Sequence, residues 1–278
     1  MALNPEAVGQ TTKELVHEYG WKDVVLYALS VGATVDELDY LYEKRGPKVL
    51  PTYAVIPTFD VCGELFDLVG GDMLGVVHGS QRIVLHRPFA SEGRLTTVGK
   101  VAAVHDLKRL AQAIFATETR DEKGELVCET EWLILFRLDG GFGGERPPRS
   151  LKVRAPEREP DFEVTDATRP EQAALYRLNG DLNPLHIDPE IGEKAGFGGP
   201  ILHGLCTFGV VGRAVVQQAC GGDPGRLKEL RGQFRKPVWP GDTLVTRGWR
   251  EDERLVLRAT TTERPDEICF TNAYAIVD

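Results

Sequence analysis

The sequence predicts an α+β fold built from two units of one plan, each with helices followed by an antiparallel sheet. Three observations carry that reading. Apolar, glycine-marked helical stretches give way to runs with a strand period from Gln81 onward, and the same order returns after residue 160. His86-Arg-Pro-Phe-Ala-Ser-Glu-Gly-Arg-Leu95 is similar to Arg235-Lys-Pro-Val-Trp-Pro-Gly-Asp-Thr-Leu244, and Glu125-Leu-Val-Cys-Glu-Thr130 to Asp266-Glu-Ile-Cys-Phe-Thr271. Such matches fit duplication of one helix-plus-sheet unit. The division is then 1–145 for the first unit, 146–160 for a charged, proline-broken linker and 161–278 for the second.

Taken in order, the first ten residues read as loosely attached. Residues 11–31 carry a helical pattern broken around Gly20, and a second helix is expected over 34–44, with Asp36, Glu37 and Asp39 in its early turns. A turn from Gly46 leads to an extended run, Tyr53-Ala-Val-Ile56, and an apolar helix covers 60–75. Strands follow at 82–86, 94–104, 112–119 and 126–136. Gly and Pro make 139–149 a loop. The second unit has a short helix near 168–178, then a helix capped by Asp188 with Pro189 at its first position, stopping at Gly196. The glycine loop Gly196-Phe-Gly-Gly-Pro200 precedes a stretch, 201–219, that is apolar almost all round and therefore buried. Its glycines, Gly204, Gly209 and Gly212, let another backbone come close. Strands are expected near 229–237, 242–251, 254–263 and 267–277.

Composition narrows the function. With 42% hydrophobic and 27% charged residues the chain is an ordinary globular protein, and no apolar run is long and pure enough to span a bilayer. A net charge of -9 argues against nucleic acid as a partner. No secretory signal or Ser-Lys-Leu terminus is visible, and five cysteines without metal-type spacing read as reduced thiols, so the cytoplasm is expected. Walker, dinucleotide and Gly-x-Ser-x-Gly patterns are missing. His186, Asp188 and His203 lack a zinc-type pattern, so no metal is expected. His203 reads as orienting its loop, Cys206 as packing, and His78, His86 and His105 as structural.

The chemistry gathers at Gly180-Asp-Leu-Asn-Pro-Leu-His186. Asp181 and His186 are five apart, which on a regular helix would point them ~140° away from each other. Asn183 precedes Pro184 and is pushed out of the α region, so the chain can curl and aim both at one point. A carboxylate and an imidazole are a workable pair for moving protons near neutrality. The helix start that follows offers free N–H groups for negative charge. A turn-forming role alone, with Asp181 accepting backbone N–H groups, is the alternative for these residues.

This motif, with Phe197-Gly-Gly-Pro-Ile-Leu-His-Gly204, resembles that of the MaoC-like (R)-specific enoyl-CoA hydratases, the hydratase 2 family. The likeness extends to Gln233–Leu244 and to Asp23–Ala33, hence over nearly the whole chain. It implies a double hot-dog, two sheets each wrapped round a long helix, and a homodimer. It also implies reversible hydration of trans-2-enoyl-CoA to (3R)-3-hydroxyacyl-CoA. Asp181 and His186 would hold the water, Asn183 would support them, and the Gly204 N–H would meet the thioester oxygen. Only the second unit carries the motif, leaving the first to shape the acyl pocket. No separate cofactor is implied, since coenzyme A is part of the substrate. Its phosphates need a basic patch: Arg226, Lys228, Arg231, Arg235 and Lys236 form one candidate, from which Arg231, Arg235 and Lys236 are assigned, and Arg146, Arg149, Lys152 and Arg154 another. Two rivals remain, a hot-dog acyl-CoA thioesterase and a non-catalytic acyl-CoA binding protein.

Overall fold

A computed structural model describes residues 3–148 and 152–278; Arg149, in one of the basic clusters, lies outside them. Ten strands form one antiparallel sheet: β1 (Leu15–Tyr19), β2 (Val76–Leu85), β3 (Gly93–Asp106), β4 (Ala111–Arg120), β5 (Leu126–Phe136), β6 (Phe162–Ala167), β7 (Leu227–Phe234), β8 (Thr243–Glu251), β9 (Arg254–Thr261) and β10 (Phe270–Val277). Their order across the sheet is β1-β3-β4-β5-β2-β7-β10-β9-β8-β6, so each edge reads inward in the same way. The expected two sheets are thus fused edge to edge, through β2 and β7, from Ser80↔Gln233 to Val84↔Glu229. The short sequence matches fall at equivalent places, after β2 and β7 and at the starts of β5 and β10.

Among the described residues six helices accompany the sheet: α1 (Trp21–Ser30), α2 (Leu38–Leu41), α3 (Phe59–Val69), α4 (Gln172–Tyr176), α5 (Pro189–Lys194) and α6 (Gly204–Ala219). Gly99 on β3 allows α3 to lie close, since a Cβ there would come within 2.4 Å of Val61 Cγ1. On α6, a Cβ at Gly209 would meet Val31 at 2.4 Å and one at Gly212 would meet Thr52 at 2.5 Å. The nearest atoms at Gly209 and Gly212 are therefore side chains of the first half, not the backbone that the sequence led us to expect.

Several expectations are corrected. Residues 3–10 are docked: Leu3 and Ala7 are buried, and the Asn4 and Gly9 N–H groups donate to Val69 and Val101. Residues 15–19 form an edge strand, with exposed Val16 and Glu18 alternating with inward neighbours; the helical pattern starts only after Gly20, whose N–H is held by the Asp23 carboxylate. The helix expected over 34–44 shrinks to α2 and a 3-10 turn, Glu43–Arg45. The run expected to be extended lies in a buried 3-10 helix, Pro51–Thr58; an apolar stretch buried all round has no periodicity to separate the two states, and Pro51 presets the first turn. The edge strand β6 is an addition.

The linker is anchored. Val153 packs with Trp249 and Val256, its N–H donates to the Asn272 side chain, and the Trp249 indole donates to the Arg158 carbonyl. Among the described residues no helix is long and apolar enough to cross a membrane, and all five cysteines are free and buried.

Candidate active site

Asp181 and His186 meet where the sequence breaks its helical pattern. Gly180 turns the chain with φ +120°, and Asn183 then caps a 3-10 turn, Pro184–His186, by accepting the Leu185 N–H at 3.0 Å. The Asn183 backbone N–H donates to Asp181 Oδ1 at 3.2 Å. The turn swings the imidazole back beside the carboxylate. A carboxylate oxygen of Asp181 and ring nitrogens of His186 and His203 all lie within 4.8 Å of one another.

The hydrogen bonds settle the tautomers. His186 Nδ1 lies 2.8 Å from the Ile201 carbonyl, which only accepts, so Nδ1 carries the proton and Nε2 is left bare to accept one. His203 Nε2 likewise donates to the Asp181 backbone carbonyl at 3.3 Å, which leaves its buried Nδ1 without a partner. The two imidazoles stack with centroids 3.7 Å apart and planes 26° apart. Stacked rings direct their lone pairs into nearly parallel planes, a poor arrangement for gripping one metal ion.

Burial sets the electrostatics. It pushes the Asp181 carboxyl up, against the opposing pull of His186 and the Asn183 N–H. It pushes the His186 imidazole down, against the pull of Asp181 and the Ile201 bond. His203 is pushed down to about 2, first by burial and then by the adjacent His186.

Beside this pair begins α6. His203 at its N-cap provides no side-chain cap, and among the described residues nothing accepts the Gly204 N–H. A Cβ at Gly204 would sit 3.3 Å from the Phe234 ring. From there aromatic rings continue into the first half: Phe234 to His78 at 5.0 Å, His78 stacked on Trp132 at 4.8 Å, and Trp132 to Phe59 at 5.8 Å. Phe59 returns to the motif, 3.2 Å from where a Cβ on Gly180 would stand.

The proposed phosphate ligands divide. Arg235 and Lys236 are exposed between Phe234, at the Gly204 backbone, and Val238, whose carbonyl accepts the Leu202 N–H at 2.7 Å. They therefore flank the start of α6, with Lys236 loosely paired to Glu267 at 3.9 Å. Arg231 is not brought there. On β7, Leu230 and Phe234 face α6, and Arg231 alternates to the other face of the sheet, opposite Arg82 and Tyr274. Arg226 and Lys228 are engaged with the Asp278 carbonyl and carboxylate. His86 has a partner that sequence spacing hid, Glu129 at 2.8 Å.

His78 and His203 also bear on acid stability. Burial lowers His78 to about 4 and His203 to about 2. The unfolded chain takes up these protons near pH 6.5, the folded chain only well below, so stability is full above that value and declines as pH falls. The urea midpoint should be lower near pH 5 than near pH 7, and His78→Phe should narrow the difference.

Comparison with known proteins adds an independent line. Residues 152–268 match the family model described as MaoC like domain, and residues 17–137 match that described as MFE-2 hydratase 2 N-terminal domain. The chain is 41% identical to 3-hydroxyacyl-thioester dehydratase Y of Mycobacterium tuberculosis, covering 93% of this chain and 91% of that protein. It is 37% identical to the peroxisomal enoyl-CoA hydratase 2 of Arabidopsis thaliana, covering 90% and 88%. Among solved structures, a MaoC-like dehydratase from Phytophthora capsici superposes with a TM-score of 0.88 at 30% identity, over 99% and 98% of the two chains. A double hotdog protein of M. tuberculosis shares the fold alone, with a TM-score of 0.61 at 14% identity, over 97% and 95%.

Proposed function

The chain belongs to the MaoC-like hydratase 2 family, and from that premise we propose that it reversibly hydrates trans-2-enoyl-CoA to (3R)-3-hydroxyacyl-CoA. The observation that carries the reading is the convergence of Asp181 and a bare His186 Nε2 beside the uncapped start of α6.

In the forward direction water adds across the double bond: its oxygen bonds to C3, the dyad takes one proton and C2 receives one. Conjugation with the thioester makes C3 electrophilic and sends negative charge to the carbonyl oxygen. Asp181 and His186 hold the water between them. Asn183 supports them by fixing the turn and by directing its backbone N–H at Asp181. The Gly204 N–H meets the developing enolate; donors placed in this way contribute on the order of 10²–10³ in rate.

Arg235 and Lys236 are kept as the candidates for the coenzyme A phosphates, and Arg231 is released from that role. The first half supplies the acyl pocket, through the wall formed by Phe59, His78 and Trp132. No further cofactor enters the chemistry. A homodimer and a cytoplasmic location remain part of this proposal.

Offering the purified protein a chain-length series of trans-2-enoyl-CoAs tests it. The expected result is loss of the enoyl absorbance with the (3R)-hydroxy product on chiral analysis. Release of free thiol from a saturated acyl-CoA, with the enoyl absorbance untouched, would point to a thioesterase. Tight binding without turnover would point to a carrier.

A further inference from the structure

We infer that His203 is a positioning residue that sets the aim of both members of the Asp181–His186 dyad, an inference that rests on the proposed role of that pair. His203 is fully buried. One face lies on His186, with centroids 3.7 Å apart. Its other ring neighbour is Tyr176, at 4.8 Å. Its edge donates Nε2–H to the Asp181 backbone carbonyl. A single ring thus touches the imidazole by stacking and the carboxylate residue by a hydrogen bond.

The two contacts do different work. His186 is tied at Nδ1 to Ile201, and a ring held at one nitrogen can still swing about that tie. The His203 face removes that freedom and fixes where Nε2 points. The bond to the Asp181 carbonyl fixes the backbone that carries the carboxylate. A small misplacement of reacting groups is enough to cost a large factor in rate.

The choice of residue has a second consequence. At an N-cap, Ser, Thr, Asp or Asn is favoured because its side chain accepts the second or third helical N–H. His203 sits at the N-cap of α6 and sends its side chain to Asp181. The helix forgoes that side-chain cap, while the Gly204 N–H, at the first helical position, lies outside the reach of any N-cap side chain. Charge on His203 is disfavoured by burial and by both His186 and Arg177 nearby, so the ring stays neutral while its neighbour exchanges protons.

Two variants separate the contacts. His203→Phe keeps a ring against His186 and loses the donor; His203→Asn keeps a donor and loses the ring. Both should fold and hold KM within about threefold while kcat falls roughly tenfold or more. In His203→Asn the acid limb of the kcat–pH profile should move toward the ordinary imidazole value as water reaches His186; in His203→Phe it should stay. If Asn at this place prevents folding, His203→Gln supplies the donor in a larger side chain. Folded variants with kcat within about twofold of the parent would overturn the inference, as would a fall in kcat that tracks the melting temperature with the acid limb unmoved in every variant. Asp181→Asn, assayed alongside, keeps the two ideas apart. If it retains full activity, the dyad itself fails; if it is inactive while the His203 variants are unimpaired, only the positioning role fails.

Discussion

Asp181→Asn and His186→Gln should each lower kcat by on the order of 10²–10⁴ while the protein stays folded. Asn keeps the shape of Asp181 and an oxygen for the Asn183 N–H but cannot take a proton. Gln at 186 removes the bare Nε2, whose availability follows from the Nδ1 tie to Ile201. The two changes should not multiply: residues that hold one water act as a unit, and the double variant should be about as slow as the slower single one. Steady-state rates on an enoyl-CoA, with circular dichroism as the folding control, decide the matter. Near wild-type rates in either single variant would remove the dyad from the mechanism. The pH profile gives a further sign. The base must be unprotonated to accept a proton, and burial lowers His186, so the acid limb should lie below the ordinary imidazole range.

Arg213→Met should destabilise the protein by about 3–5 kcal/mol. Arg213 is 4% exposed within α6, and its guanidinium binds the Glu37 carboxylate at 2.5 Å and the Asp166 carboxylate of β6. Gln217 donates to the second Glu37 oxygen at 2.6 Å. Removing the cation leaves two carboxylates with little water, and Asp166 is already pushed up by burial. At roughly 2–4 °C per kcal/mol for a large domain, the melting temperature should fall by on the order of 10 °C. Adding Glu37→Gln and Asp166→Asn to Arg213→Met should restore part of the loss, because the penalty lies in the stranded charges. Wild-type melting in Arg213→Met would mean that the network contributes nothing net.

The sequence spoke most clearly where a local rule decides the outcome. The strand expected over 126–136 is β5, because buried and half-buried residues alternate from Cys128 to its end. Helix α5 is framed by the Asp188 cap and Gly196, and the Asn183-Pro184 break does bring Asp181 to His186. Outcomes set by neighbours were hidden. The buried run at 51–58 has no polar face to give it a period, and β1 is an edge strand whose pattern merges with the helix after Gly20. Arg231 and Arg235 belong to one basic cluster in the sequence, yet Arg231 lies within β7 on the face away from α6, whereas Arg235 follows the end of that strand, beside the start of α6. The stack of His203 on His186 joins residues 17 apart and has no linear signature. Arg213 did leave a trace: a lone cation in an apolar helix is rarely buried without acidic partners.

The seam between β2 and β7 makes the two halves one mechanical body. Backbone pairing crosses it, Arg82 binds Glu229 over it, and Gln172 and Asn179 reach across to the end of α1 at Leu29 and Ser30. Asn179 stands two residues before Asp181, so the end of a helix in the motif-free half is tied to the segment that carries the Asp181 carboxylate. The two halves share one strand order, but their joining denies either one the freedom to loosen alone.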